Sequence, residues 1–216
     1  MSNNTVNVSK PKSSIIKDAI ILFVITLVSG LALGVVYEIT QPIIEQRALD
    51  AKKEAYQTVF LDAEAFVEDE ELSAKAESAP EEIFDANGFS NVTVDEVLVA
   101  QDSSGNTIGH VMSVTSNNGY GGAITISLGY STDGVVQGLE FLVLNETVGF
   151  GQNAQNPEFK DQFVGKQVTE FVSTKSGASA DNEIDALSGA TITTDAVTEA
   201  VNAGLLFLNE TASGNN

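Results

Sequence analysis

The chain has 216 residues, 43% of them hydrophobic, and its 30 acidic and 10 basic side chains give a net charge of −20. This charge repels nucleic acid phosphates and argues against a DNA- or RNA-binding protein. With no cysteine and one histidine, His110, the chain has no disulfides, thiolate nucleophiles, Cys-ligated clusters or multi-histidine metal sites, so we predict no metal centre and interpret His110 as a structural residue of a strand.

The first predicted element is a transmembrane helix over residues 19–37, after a short cytoplasmic tail, residues 1–18. This run is uncharged, and 19 residues at about 1.5 Å each span the ~30 Å core of a bilayer. Gly30 and Gly34 place small residues on one face, where another membrane helix can pack. The alternative is a signal peptide cleaved near Ala32. The length of the run and the lack of a following A-x-A site favour the membrane anchor.

The charges flanking this helix predict its orientation. Lys10, Lys12 and Lys17 precede it, whereas 29 acidic and 7 basic residues follow from Glu38 onward, a charge of −22. Positive charge marks the cytoplasmic side of a membrane helix. We therefore expect the N-terminus inside and the following domain on the outer, extracellular or periplasmic face of the cytoplasmic membrane.

Residues 38–82 are predicted to form a helical and acidic linker region. Apolar residues recur at helical spacing from Pro42 to Phe60, so this helix either continues from the membrane or kinks at Pro42. The run from Glu68 to Glu82 is acidic and has few large apolar side chains. Such a composition is typical of a solvated loop or a poorly ordered stretch.

Residues 83–210 are predicted to be an α+β domain with an antiparallel sheet and flanking helices, before a disordered tail, residues 211–216. The segments "VDEVLVAQD-SSGN-TIGHVMSVTS" and "GGAITISLGY-STDG-VVQGLEFLVL" each indicate a hairpin. The stretch after Pro157 is expected to begin as a helix. A last helix begins near Thr194 or Asp195, either of which can cap it. Its buried face is predicted to contain Val197, Val201, Gly204, Leu205 and Leu208.

Three motifs distinguish this domain from an ordinary globular background. They are "NNGYGGAI" (117–124), "NETVGFGQNA" (145–154) and "DALSGAT" (185–191). The glycines of the first two permit turns or close backbone approach. The third precedes a helix N-terminus, where backbone N–H groups and the helix dipole favour a phosphate. A hydroxyl placed there needs no neighbouring base if it is an attachment point for a phosphate-bearing group.

The third motif resembles the D-x-x-[ST]-G-A-[ST] flavinylation motif of FMN-binding domains in electron-transport proteins. This resemblance implies that Thr191 carries FMN through a phosphoester installed by a flavin transferase. Together with "GYGG", "ETVGFG" and the N-terminal membrane helix, the chain resembles the RnfG component of the Rnf complex over roughly residues 15 to 208. It is more distantly similar to NqrC, a component of the sodium-pumping NADH:quinone reductase. Val148 and Phe150 depart from the proline and the aliphatic residue usual in the second motif.

The resemblance also implies roles for the other motif residues. Gly189 and Ala190 lie at the phosphate, and Gly189 leaves room for it. Ser188 donates a hydrogen bond to a phosphate oxygen. Asp185 is recognised by the transferase. Tyr120 is able to stack on or near the flavin ring. The ring is expected to lie among the remaining candidates, which are Glu146, Thr147, Gly149, Gly151, Tyr120 and Gly121.

Resemblance to this family implies electron relay between ferredoxin and NAD in a complex that transports Na⁺ or H⁺. No residue of this chain is predicted to be catalytic, and the resemblance implies a redox subunit, not a catalyst alone. The implied partners are subunits A, B, C, D and E, above all RnfD, the flavin-carrying membrane component. The alternatives are a stand-alone FMN-bearing surface protein for extracellular electron transfer, the NqrC component of the quinone reductase, and a structural ectodomain whose "SGAT" is only a helix cap.

Overall fold

The computed structural model describes residues 15–79 and 83–211, in two compact units that divide between Leu49 and Asp50. Helix α1, Ile15–Val59, begins in the first unit and ends in the second, with Pro42 inside it. The hypothesis that the helix continues past Pro42 is therefore confirmed. An 18-residue window of α1 has a mean hydropathy of 2.8 and is not buried, so the helix is long and apolar enough to cross a membrane.

The second unit is built on a five-stranded antiparallel sheet in the order β1-β2-β3-β4-β5. Both predicted hairpins are confirmed, because β2 pairs with β3 and β4 pairs with β5 across tight turns. His110 lies in β3, where burial lowers the pKa of its imidazole. The strands are β1 (Ala65–Glu68), β2 (Val92–Gln101), β3 (Thr107–Ser116), β4 (Ile124–Ser131) and β5 (Val136–Leu144).

The last helix, α4 (Thr191–Thr211), packs on one face of this sheet. The five residues predicted for its buried face are all buried. Gly204 permits the close contact with the sheet, since a Cβ atom there would lie 2.9 Å from Met112 Sδ and 3.2 Å from Leu128 Cδ2. The sheet, with helices packed against it, makes the unit α+β, as predicted.

The end of α1 covers the opposite face of the sheet through Tyr56, Val59 and Phe60, which are all buried. Gly129 and Gly138 form a cross-strand pair directly beneath it. A Cβ atom at Gly129 would lie 2.2 Å from Val59 O, and one at Gly138 would lie 2.6 Å from Val59 Cα. These two glycines therefore allow the helix backbone to contact the sheet itself.

The acidic segment is ordered where the structure describes it, so the interpretation of residues 68–82 as a solvated loop is wrong for its central part. Helix α2 comprises Glu70–Ala79, and Asp69 Oδ1 caps it by accepting the N–H groups of Glu71 and Leu72 at 2.9 and 3.0 Å. Leu72, Ala76 and Ala79 are buried at helical spacing. Residues 80–82 lie outside the described residues.

The boundary of the compact unit also differs from the prediction. The unit begins at Asp50, so the end of α1, strand β1 and helix α2 pack with the domain instead of forming a linker over 38–82. At the other end, Thr211 is the last residue of α4. The rest of the predicted tail, residues 212–216, and residues 1–14 of the predicted cytoplasmic segment lie outside the described residues.

The segment after Pro157 is helical only briefly, as α3 (Pro157–Lys160). Its aromatic residues then enter the core, where the rings of Phe163 and Phe171 meet edge to face at 5.0 Å. A parallel pair follows, β6 (Val172–Thr174) with β7 (Glu183–Asp185), which the sequence analysis did not predict. Five residues separate the end of strand β7 from the start of α4, so β7 positions the third motif.

Candidate functional site

The three motifs meet at the start of α4, around a cavity of about 510 Å³. The cavity has the size of a typical small-molecule site. The first motif contributes one residue, the second four and the third three, and the first turn of α4 supplies the remaining two. The lining residues are Tyr120, Glu146, Thr147, Phe150, Gly151, Gly189, Ala190, Thr191, Ile192 and Thr193.

The third motif forms a tight turn before α4. The Ala190 N–H donates to Leu187 O at 3.1 Å, and Gly189 has φ +73°, as the third residue of a type II turn requires. The helix begins at Thr191, so the N–H groups of Thr191, Ile192 and Thr193 have no acceptor inside it. With the positive end of a 21-residue helix, they favour an anion in the cavity.

The prediction that Thr194 or Asp195 caps α4 is wrong, because the helix begins three residues earlier than expected. The Thr194 N–H makes the first helical hydrogen bond, to Ala190 O at 3.0 Å. Asp195 Oδ1 instead accepts the hydroxyl of Ser173 at 2.8 Å. The Leu187–Ala190 turn leads directly into helical backbone, so Thr194 lies inside the first turn.

The backbone of the second motif packs closely against the first turn of α4. Gly149 has φ +80°, and a short 3₁₀ helix follows at Gly151–Gln155. A Cβ atom at Gly151 would lie 2.4 Å from Thr193 Oγ1 and 2.8 Å from Glu146 Oε2. Gly151 is therefore required by packing, whereas Gly149 is required by its backbone conformation.

Two carboxylates position the first motif. Glu146 is buried, and its Oε1 accepts the Gly121 N–H at 3.1 Å. Glu199, on α4, has one oxygen that accepts both the Ser116 hydroxyl at 2.9 Å and the Asn118 side-chain N–H at 2.8 Å. The loop that carries Tyr120 is thus linked to both the second motif and α4.

Exposed apolar side chains surround the cavity. Tyr120, Phe150 and Ile192 are 72%, 53% and 52% exposed. A Cβ atom at Gly189 would lie 3.2 Å from Phe150 Cδ1, so the aromatic ring of the second motif contacts the turn of the third. Exposed aromatic surface of this kind is suited to stack on a planar ring system.

Four predicted site residues do not line the cavity: Asp185, Ser188, Gly121 and Gly149. Ser188 is exposed in the turn, and the two glycines support the loops as described above. Asp185 Oδ1 accepts the Ala178 N–H at 2.5 Å, and the Gln162 side chain hydrogen-bonds the backbone of Asp185 on both sides. Asp185 therefore closes the loop before β7.

Three lining residues were not among the predicted site residues: Phe150, Ile192 and Thr193. Phe150 was noted only as a departure from the usual motif. Ile192 and Thr193 line the cavity because α4 begins at Thr191, which places them in its first turn. In the sequence, the signal for these two residues is that they directly follow the "SGAT" stretch.

Comparisons with known proteins agree with this geometry. The family model of the FMN-binding domain matches residues 119–206, and that of the RnfG N-terminal region matches residues 1–59. The G subunit of the Na⁺-translocating ferredoxin:NAD⁺ oxidoreductase complex of Acetobacterium woodii is 32% identical over 88% of this chain and 90% of its own length. The G subunit of the proton-translocating ferredoxin:NAD⁺ oxidoreductase complex of Clostridium ljungdahlii is 28% identical over 83% of this chain and 84% of its own length.

Among solved structures, the C subunit of the Na⁺-translocating NADH-quinone reductase from Parabacteroides distasonis is 25% identical, with a TM-score of 0.47 over 56% of this chain and 63% of that one. The match to the Acetobacterium woodii protein extends over nearly the whole of both chains, and the two family models cover the membrane helix and the site. The chain therefore belongs to the RnfG family of ion-translocating oxidoreductase complexes.

Proposed function

We propose that this protein is the membrane-anchored, FMN-carrying electron-transfer subunit of an Rnf-type ferredoxin:NAD oxidoreductase complex coupled to Na⁺ or H⁺ transport. The observation that carries the proposal is the meeting of three separate motifs at one cavity, inside the region that matches the FMN-binding domain. Membership of the RnfG family supports the assignment to such a complex, because the relatives that match most of this chain are G subunits of such complexes.

The residues present fit FMN. Its phosphate suits the free N–H groups and positive dipole at the start of α4. Its planar ring suits the exposed faces of Tyr120 and Phe150, and its polar chain suits the exposed hydroxyl group of Thr147. When bound, the flavin supplies one- and two-electron redox chemistry, while the protein orients it and excludes water.

Covalent attachment at Thr191 is part of the proposal. Thr193 and Thr194 are only 1% and 0% exposed, whereas Thr191 is half-buried and lines the cavity as the first residue of α4. The Thr191 hydroxyl oxygen forms a bond to the flavin phosphorus and loses its proton. The phosphoanhydride bond of an activated flavin dinucleotide, supplied by the flavin transferase, breaks, and a nucleoside monophosphate leaves.

The remaining parts of the proposal concern the membrane and the partners. The span 19–37 has no charged residue, so a single helix offers no path for an ion, and transport is assigned to the other subunits. Among them, RnfD, the flavin-bearing membrane component, is proposed to exchange electrons with this domain on the outer face. The positive-inside pattern supports this orientation.

The function is tested by extracting the full chain from its own membranes in mild detergent. We expect multi-span subunits to co-purify with it, and acid denaturation to leave a yellow chain whose mass exceeds the polypeptide by one FMN. A flavin-bearing chain that purifies without partners would instead be a stand-alone surface carrier. A colourless chain of unmodified mass would favour the structural ectodomain.

The orientation is tested by protease protection. Because Lys10, Lys12 and Lys17 precede the span and a charge of −22 follows it, protease added to right-side-out vesicles is expected to digest the domain and leave only the anchor. Inverted vesicles are the control and should protect the domain. Digestion only in the inverted vesicles would place the domain in the cytoplasm.

A further inference from the structure

We propose that Thr194 is a positioning residue for flavin attachment. Its buried hydroxyl holds the Leu187–Ala190 turn against the first turn of α4 and so directs the Thr191 oxygen towards the cavity. This inference rests on the proposed covalent attachment at Thr191. It assigns a role to a side chain that neither lines the cavity nor belongs to the "DALSGAT" motif.

The hydrogen bonds of Thr194 reach both ends of the turn. Its Oγ1 accepts the Leu187 N–H at 3.0 Å and donates to Ala190 O at 3.0 Å. The backbone N–H of the same residue donates to Ala190 O at 3.0 Å, and the turn closes between Ala190 N and Leu187 O. One residue thus contacts the first and last members of the turn.

Burial makes this hydroxyl hard to replace. Thr194 is 0% exposed, so water has no access to substitute for it. Removing the hydroxyl leaves the N–H of Leu187, a half-buried residue, without its acceptor, and a donor left unpaired beside a buried side chain weakens the local structure. Of the two hydrogen bonds described at Leu187, the turn would then keep only the one from the Ala190 N–H to the Leu187 carbonyl.

The position of the turn matters because Thr191 follows it directly. Ala190 is the residue before Thr191, and its carbonyl is held by both the hydroxyl and the N–H of Thr194. A reacting oxygen displaced by about 1 Å can slow a group transfer by roughly a hundredfold. The link between Thr194 and the turn is therefore expected to control the rate of flavin attachment, not the fold as a whole.

Thr198 provides a matched control four residues along α4. Its Oγ1 donates to Thr194 O at 2.9 Å, as Thr194 Oγ1 does to Ala190 O, and it is also buried, at 6% exposure. Within residues 15–79 and 83–211, it forms no hydrogen bond to the turn. Valine in place of either threonine removes a hydroxyl at nearly constant volume, but only Thr194→Val breaks the contact with Leu187.

The test uses the flavin-free full chain in detergent, incubated with purified transferase and flavin dinucleotide. Covalent loading is followed over time by intact mass, and exchange of the Leu187 amide hydrogen is measured on the unloaded chain. We expect Thr194→Val to load about tenfold more slowly and to exchange the Leu187 amide about tenfold faster. Thr194→Ser should restore both rates, and Thr198→Val should match the wild type.

Two results would overturn the proposal: a wild-type loading rate for Thr194→Val, or an equal loss of rate in Thr198→Val. If Thr194→Val does not fold, Thr194→Cys, which keeps a similar volume but offers only a weak acceptor, is measured in its place against Thr198→Cys. If the wild-type chain itself takes no flavin, covalent attachment at Thr191 is wrong, and the role of Thr194 in attachment is wrong with it. An unchanged exchange rate of the Leu187 amide in the Thr194 variant would contradict the contact between Thr194 and the turn, whatever the loading rate.

Discussion

Thr191→Val is expected to give a folded chain that carries no covalent flavin. Valine keeps the shape of threonine at the first position of α4 but removes the oxygen proposed to form the phosphoester. The side chain is half-buried at the rim of the cavity, so the change in unfolding free energy should stay within about 1 kcal/mol. Intact mass and in-gel flavin fluorescence after denaturation measure the covalent flavin, and thermal unfolding measures the fold.

Neighbouring hydroxyls supply the controls. Thr191→Ser offers the same oxygen and should still be loaded. Thr193→Val should keep the covalent flavin, because Thr193 is 1% exposed and its oxygen lies against Gly151. A flavin mass that persists in Thr191→Val would move the attachment to another hydroxyl and contradict the proposed site.

A chain that begins at Ile83 is expected not to fold, whereas one that begins at Asp50 should. The shorter chain matches the predicted domain boundary but lacks Tyr56, Val59, Phe60 and Leu72, which are 1–7% exposed. Burying such side chains contributes roughly 1.5–3 kcal/mol each, about 6–12 kcal/mol together, as much as the whole stability of a typical domain. The truncation also removes β1 and so leaves the edge of β2 unpaired.

Circular dichroism and thermal unfolding of the two fragments would measure this difference. A chain beginning at Leu61 is the intermediate control, since it loses the end of α1 but keeps β1 and α2. It should be less stable than the chain from Asp50 and more stable than the chain from Ile83. Equal melting temperatures for all three would show that the end of α1 and helix α2 are dispensable for the domain.

Local patterns were sufficient for much of the fold. The two hairpins were predictable because alternation and turn residues act over a few neighbours. The buried face of α4 was predictable for the same reason, since residues such as Val197 and Val201 recur at the helical period. Helix α2 was missed because its acidic composition conceals a stripe of one leucine and two alanines, which becomes stable only when packed against the sheet.

The candidate site was predictable only in part. The motif around Thr191 predicted an attachment residue and a cofactor through its resemblance to the flavinylation motif, which is a short continuous stretch of the chain. Phe150 and Glu199 belong to other stretches, and their contacts with Gly189 and with the loop before Tyr120 depend on the packing of distant segments. Such contacts produce no motif or regular spacing in the sequence from which they could be predicted.

The sequence by itself indicated the membrane helix and the order of the three motifs, and its resemblance to the flavinylation motif predicted Thr191, among several hydroxyls, as the attachment residue. The tertiary structure decided where α4 begins and which hydroxyls are buried. It also decided that Thr194 faces the turn instead of capping the helix. The physical reason is that a helix start depends on the backbone that leads into it. Here that backbone is held by Gln162 and the aromatic ring of Phe150, which are distant from the motif in sequence and reach it only in the folded domain.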